Sequence, residues 1–324
     1  MSKSLNVALL GNPNTGKTSV FNQLTGLNQK VGNYPGITVE KKEGVCKLNH
    51  TSKAHVLDLP GTYSLNASSM DESVVIELLL NKNNKDFPDV AVVVTDIENL
   101  KRNLLLFTQV KDLEIPTLLV INMADQMKRK GITIDIESLE KELDTKISLI
   151  STRDNDGLSE LKELILNYRQ LSTKSTISLA SIDDDYFKRL EKAFPTQSIY
   201  KLWLVITQDV NFAKIDRNRF HDDTNFKIQS DSDLKRLQQK ETVKRYQYIN
   251  NSLKTALKVD RNLATDLRSR LDRVLIHKFW GYVIFFGILM TIFQSIFDWS
   301  SIPQDFIDSS FAALSEYIKN QLPS

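Results

Sequence analysis

Five short apolar runs mark the first half of the chain, at residues 6–10, 54–59, 90–95, 117–122 and 147–151. They are apolar at nearly every position rather than at alternate ones, which is the pattern of strands buried on both faces. Helically spaced stretches separate them, so residues 1–171 are expected to form an α/β domain with a mainly parallel sheet covered by helices on both sides. Sheets of that kind bind ligands at the carboxyl ends of their strands. A polar stretch at 172–181 reads as a linker. From 182 to 273 glycines are few and long charged side chains many, with helical spacing in stretches such as 234–257, and a small all-α domain is predicted. Its acidic start, Asp183 to Asp185, reads as a solvated helix N-terminus rather than a metal site.

The pattern changes again at 279–297, where about 19 residues carry no charged side chain. That is the length of a bilayer span, and a soluble helix of this length normally keeps a polar face. Arg268, Arg270, Arg273 and Lys278 precede it, and Asp298, Asp305 and Asp308 follow. The positive-inside rule then places residues 1–278 in the cytoplasm. Trp280 and Trp299 fall near the two ends, where amphipathic rings favour the interface. Residues 302–322 include Asp305, Asp308, Glu316 and Lys319, too many charges for a second lipid-facing helix, and read as an amphipathic segment on the far side.

Composition narrows the function. Of 324 residues, 41% are hydrophobic and 25% charged, the balance of a folded protein. Lys plus Arg number 42 against 40 for Asp plus Glu, and a net charge of +2 argues against a nucleic-acid partner. The lone Cys46 excludes an internal disulfide, and the four histidines have no zinc-like spacing.

The chemistry is carried by short motifs at strand ends. Gly11-Asn-Pro-Asn-Thr-Gly16-Lys17-Thr18 matches the P-loop pattern between a strand and a helix. Its backbone N–H groups would cradle phosphates, Lys17 would reach the β- and γ-phosphates, and the Thr18 hydroxyl would ligate Mg²⁺. Asn12, Asn14, Thr15 and Ser19 complete the expected nucleotide contacts of this loop. Asp58-Leu-Pro-Gly61 ends the second run, with Asp58 placed for the Mg²⁺ shell and the Gly61 N–H for the γ-phosphate. The loop at 31–38 holds Gly36 and Thr38, and the Thr38 hydroxyl is the candidate that closes onto Mg²⁺.

Base identity rests on Asn122-Met123-Ala-Asp125 after the fourth run. The Asp125 carboxylate can accept the ring and exocyclic N–H groups of guanine, a donor pair adenine lacks, while Ser151 and Thr152 can offer backbone N–H to the guanine oxygen. A GTP/GDP site is therefore predicted. Thr62 stands where many small GTPases carry a water-positioning glutamine, so slow turnover is expected.

These residues resemble the ferrous iron transport protein B (FeoB) family of bacterial membrane proteins. The resemblance is carried by the stretch from Gly11 to Gly44, by DLPGTYSL at 58–65, INMAD at 121–125, STR at 151–153, RYQYINNSL and LDRVLIHKFWG. It implies a cytoplasmic GTPase domain, then a helical domain favouring the GDP-bound state over 182–273, then a membrane domain for Fe²⁺ import. It further implies K⁺-assisted hydrolysis, with Asn14 holding K⁺ and the loop around Gly32–Tyr34 closing over it. Lys17, Asn14 and Thr38 are then the catalytic set. Location in the bacterial inner membrane follows, with membrane lipid and a homo-oligomer or a separate permease subunit as partners. One span encloses no ion path, so this chain alone is not expected to be a complete transporter. A GTP-dependent regulatory module that signals to a separate permease is the alternative reading.

Overall fold

The structure, a computed structural model, describes residues 5–26, 29–34, 39–66, 69–208, 226, 228–260, 274–297 and 301–321. It divides into two compact units, Met1–Asp260 and Arg261–Ser324.

The first unit is built on a sheet of seven strands: β1 (Leu5–Gly11), β2 (Gln29–Asn33), β3 (Glu40–Lys47), β4 (Lys53–Asp58), β5 (Val90–Asp96), β6 (Thr117–Asn122) and β8 (Ile147–Leu149). Their order is β2-β3-β4-β1-β5-β6-β8. The neighbours of β1, β5 and β6 run parallel, whereas β2 and β3 form an antiparallel hairpin at one edge and β3 runs antiparallel to β4. The five apolar runs are thus the parallel centre. The hairpin is an addition that the hydrophobic pattern did not reveal, because all five residues of β2 are exposed.

Strict alternation in the central strands explains their uniform apolarity. Val7, Leu9, Val90, Val92 and Val94 face α1 (Lys17–Thr25) and α6 (Leu158–Leu166). Ala8, Leu10, Ala91 and Val93 face the opposite layer, with α2 (Met70–Leu80) and α3 (Leu100–Lys111). Both faces are buried, so most positions are apolar, and polar residues such as Thr95 and Thr117 occur where the hydroxyl bonds a backbone carbonyl. Short connections carry α4 (Asp125–Lys130), β7 (Ile132–Ile134) and α5 (Ile136–Leu143) between β6 and β8.

Three further helices, α7 (Asp184–Ala193), α8 (Ile199–Thr207) and α9 (Asp231–Ala256), pack on the α3 and α5 side. Asp183 caps α7 by accepting a hydrogen bond from the Tyr186 N–H, and Ser230 caps α9 in the same way from Asp233. Tyr186, Phe187 and Trp203 share one apolar cluster with Leu104, Phe107 and Ala8. The helical segment is not purely α: it includes β9 (Leu257–Val259), which pairs antiparallel with β7, and its residues 209–225, 227 and 261–273 lie outside the described residues. Nor is 172–181 a free tether, since the Thr176 N–H and hydroxyl both donate to Asp112 Oδ1, at 2.5 and 2.8 Å.

A buried ionic node ties these helices to α3. Arg245 of α9, fully buried, pairs with Asp112 Oδ2 and Glu241 Oε1 at 2.8 Å each and lies 4.7 Å from the Tyr200 ring centre. Glu241 in turn accepts from Trp203 Nε1 at 2.7 Å.

The second unit holds α10 (Trp280–Phe297) and α11 (Ser301–Gln321). The uncharged run expected to span a bilayer is helical, and most of its large apolar side chains are exposed. Its 18 residues measure about 27 Å, against about 30 Å of hydrocarbon core. Among the described residues, no helix is long and apolar enough to cross a membrane. Trp299, Arg268, Arg270, Arg273 and Asp298, which oriented the expected span, lie outside the described residues.

Candidate nucleotide site

The P-loop links β1 to α1, and its two outer glycines are dictated by close packing. A Cβ on Gly11 would sit 2.4 Å from the Val94 carbonyl oxygen. Gly16 has φ +80°, and a Cβ there would meet Asn122 Nδ2 at 2.3 Å. Between them the buried Thr15 closes the turn, its hydroxyl donating to the Asn12 carbonyl at 2.9 Å. Asn14 adopts φ 69°, a left-handed conformation that asparagine tolerates, and stands exposed at the crest. Asn12 is buried, and neither side-chain amide atom has a hydrogen-bond partner. A buried amide in that state is a standing demand for polar contact beside the phosphate loop.

Lys17 and Asp58 form an ion pair, and Thr18 Oγ1 donates to Asp58 Oδ2 at 3.4 Å. Burial lowers the Lys17 pKa, the Asp58 carboxylate opposes that shift, and the charge of Lys42 adds to it. These residues line a cleft of about 380 Å³ together with Lys42, Gly61 and Asp71. Gly61 lies against Pro13, where a Cβ would be 3.2 Å from the proline ring, and the Thr62 N–H donates to the Gly11 carbonyl at 3.1 Å. The P-loop and the Asp58–Gly61 turn are therefore one packed assembly. Thr62 is fully buried and its hydroxyl donates to the Pro60 carbonyl at 3.1 Å, so it offers nothing to the cleft.

The second cluster lies at the ends of β6 and β8. Asn122 Nδ2 donates to the Thr15 carbonyl at 3.0 Å, and its Oδ1 accepts from the Thr152 N–H at 3.2 Å. Both ends of its amide are thus used to fasten the P-loop to the segment after β8. Asp125 Oδ1 accepts from Ser151 Oγ at 3.2 Å and its Oδ2 from Gln126 Nε2 at 2.7 Å. Met123, in the left-handed region at φ 64°, turns the chain between the two residues. Gln23 adds a contact that the motifs did not suggest, its Nε2 donating to the Thr152 carbonyl at 2.5 Å.

The structure therefore brings Gly11 to Thr18, Asp58 and Gly61 together, and joins them through Asn122 to Met123, Asp125, Ser151 and Thr152 at the same sheet end. Ser19 follows, exposed, on the first turn of α1. Gly36 and Thr38 lie outside the described residues. Gly32 and Asn33 are paired in the edge strand with Lys41 and Glu40. Tyr34 turns inward, and burial, with Asp86, Asp58 and Glu43 nearby, raises its phenol well above the usual range. A larger cleft of about 550 Å³, edged by Glu140, Thr145 and Lys146, lies at the amino end of β8 and holds none of these residues.

A Mg²⁺ ion needs few protein ligands when phosphates supply the rest, and the hard oxygens of Thr18 and Asp58 suit it. Among the described residues no group of three or more His, Cys, Asp or Glu is placed to hold a metal. Asn14 offers an exposed amide carbonyl, a donor type that fits K⁺.

A parallel sheet with its phosphate loop between β1 and α1, an Asp at the end of β4 and an Asn-x-x-Asp after β6 defines a P-loop protein with a GTPase fold. The family described as ferrous iron transport protein B matches residues 5–165. A Leptospira biflexa Fe(2+) transporter FeoB is 33% identical over 99% of this chain and 47% of its own length. The cytosolic domain of the T. maritima FeoB iron transporter in a GDP form is 30% identical with a TM-score of 0.69, over 80% of this chain and all of that one. Its GMPPNP form gives 30% and 0.68, over 78% and 99%. The chain belongs to the FeoB family. It spans about half the length of the curated relatives it matches.

Proposed function

We propose that this chain is the GTP-binding and GTP-hydrolysing portion of a bacterial ferrous iron transporter, in which GTP turnover gates or regulates iron uptake. The observation that carries the reading is the convergence of Lys17, Thr18 and Asp58 with Asn122, Asp125 and Ser151 at one end of the sheet. The FeoB cytosolic domains it resembles were solved in GDP and GMPPNP forms.

In the proposed mechanism the backbone N–H groups of 12–18 hold the α- and β-phosphates. Lys17 leaves Asp58 for the phosphate oxygens, where its charge offsets the negative charge that grows as the γ-phosphate departs. Thr18, Asp58 and Thr38 would hold Mg²⁺, which neutralises charge between the β- and γ-phosphates when bound. Asn14 would hold K⁺, supplying the charge that an arginine supplies elsewhere. Asp125 selects guanine, and Ser151 and Thr152 complete that pocket. Residues 1–171 then act as the G domain and 182–273 as the helical domain that favours the GDP state. The exposed apolar helix at 280–297 is the segment that meets the bilayer of the inner membrane, with residues 1–278 on the cytoplasmic side.

The test is GTP turnover by the Lys17→Ala variant. Loss of turnover is expected, and a variant with full turnover contradicts the reading. A second reading, a regulatory module that signals by GTP occupancy to a separate permease chain, is favoured by the buried Thr62, which leaves no side chain at that position to orient water. It requires a non-hydrolysable GTP analogue to support iron uptake as well as GTP does.

A further inference from the structure

The cleft beside Lys17 contains a second lysine that the motifs do not account for. Alternation along β3 sorts its charged residues onto two faces. Lys41 and Glu43 lie on one, where Lys41 is consumed by ion pairs of 2.8 Å to both Glu43 and Asp86. Lys42 lies on the other, with Cys46, which packs in the cluster that holds Val20 and Phe21 of α1. In the antiparallel ladder Lys42 is directly opposite Asp58. Side chains opposite one another share a face, with Cβ atoms about 4.5–5.5 Å apart. Both therefore face the cleft that Lys17, Thr18 and Gly61 line.

Asp58 is engaged by Lys17 and Thr18, and the ion pair of Lys42 is with the exposed Glu40 at 3.3 Å. Two lysines thus point at one cleft with a single buried carboxylate between them. The positive charge of Lys42 reaches Lys17, adding to the burial that already disfavours the charged form of that amine. Lys42 thus brings a second amine to the cleft, whose lining also includes the carboxylates of Glu40 and Asp71.

We propose that Lys42 is a second phosphate-reading lysine, which contacts the γ-phosphate of GTP and adds to the affinity for a nucleoside triphosphate without adding to that for a diphosphate. This rests on the nucleotide-site reading above. In the nucleotide reading above, the loop at 12–18 would hold the α- and β-phosphates. A third phosphate would then reach towards the part of the cleft bounded by Lys42, Asp58 and Gly61. Lys42 is a specificity residue rather than a structural one. Its side chain is 30% exposed, and Lys41 on the opposite face already ties β3 to Asp86.

The experiment measures the affinities of GDP and GMPPNP for the full 324-residue chain and for Lys42→Met and Lys42→Arg, in Mg²⁺. Methionine keeps the stem and removes the charge. Lys42→Met is expected to lose about tenfold in GMPPNP affinity with GDP affinity unchanged, and Lys42→Arg to restore most of it. Equal weakening of both nucleotides would show a structural role and overturn the proposal, as would no change in either. If the unmodified chain binds neither nucleotide, the site reading itself fails, and this inference with it.

Discussion

Two charge clusters on the same unit are built alike and finished differently. At the carboxyl end of the sheet, Lys17 pairs with Asp58 beside an open cleft, with Thr18 and Lys42 at its rim. At the far end of α3, Arg245 pairs with Asp112 and Glu241 and is sealed by Tyr200, Trp203 and Thr176. The guanidinium there is held charged against the cost of burial by the carboxylates around it. The sealed cluster sets one guanidinium between two carboxylates, leaves Arg245 Nη2 without a hydrogen-bond partner, and joins α9 to α3. The open one sets Lys17 and Lys42 among Asp58, Glu40 and Asp71 beside a buried Asn12 amide with no partner, and it is the proposed ligand site. Access separates the two: the open cluster borders a cleft of about 380 Å³, whereas Arg245 is enclosed by side chains.

The sharpest way to break that contrast is to remove one charge from each cluster. Arg245→Ala leaves Asp112 and Glu241 buried without their partner and is expected to destabilise the fold by about 3–5 kcal/mol, read by urea unfolding. Lys17→Ala exposes no comparable deficit, because Asp58 keeps Thr18 and the cleft is open to water. Its stability should change by less than about 1 kcal/mol while nucleotide affinity falls about 100-fold or more. A Lys17→Ala variant that unfolds as readily as Arg245→Ala would erase the distinction.

Asp125→Asn comes next. Replacing a double acceptor by an amide removes one of the two guanine contacts, and GTP affinity should drop about 10- to 100-fold. Xanthosine triphosphate, which carries a carbonyl at the former amine position, should gain by a similar factor in competition binding. Gly16→Ala forces a Cβ towards Asn122 Nδ2 at a positive φ, and about 1–3 kcal/mol of stability should be lost in thermal melts. The smallest effect belongs to Arg102, whose guanidinium lies 4.4 Å from the ring centre of the exposed Tyr63. Arg102→Ala should cost about 0.5–1 kcal/mol, the scale of a solvent-exposed cation–π contact.

The open site was legible in the sequence because its parts are local. Lys17, Thr18 and the two glycines sit within eight positions, and Asp58 and Asp125 each end an apolar strand that announces itself. The sealed site was not. Asp112 and Arg245 are ordinary charged residues on helix surfaces until the fold places them 2.8 Å apart, and no spacing links them. The hairpin β2–β3 escaped for a different reason, since Gln29–Asn33 is an exposed edge strand with no buried face to impose alternation. The β7–β9 pair, three residues on each side, is too short to leave a pattern. Asn122 was legible only as a member of the base-recognition motif; that its amide fastens Thr15 to Thr152 is visible only once β6 and β8 are side by side. Lys42 could have been found by counting: two residues beyond Glu40 on a strand facing α1, alternation returns it to the phosphate side.

The account depends most on the open cluster being a guanine-nucleotide site, and calorimetric titration of the full chain with GDP and with ADP, in Mg²⁺, tests it most directly. Saturable GDP binding is predicted, at least about 100-fold tighter than ADP and abolished by Lys17→Ala. Equal affinity for the two nucleotides, or GDP binding that survives loss of Lys17, would contradict it.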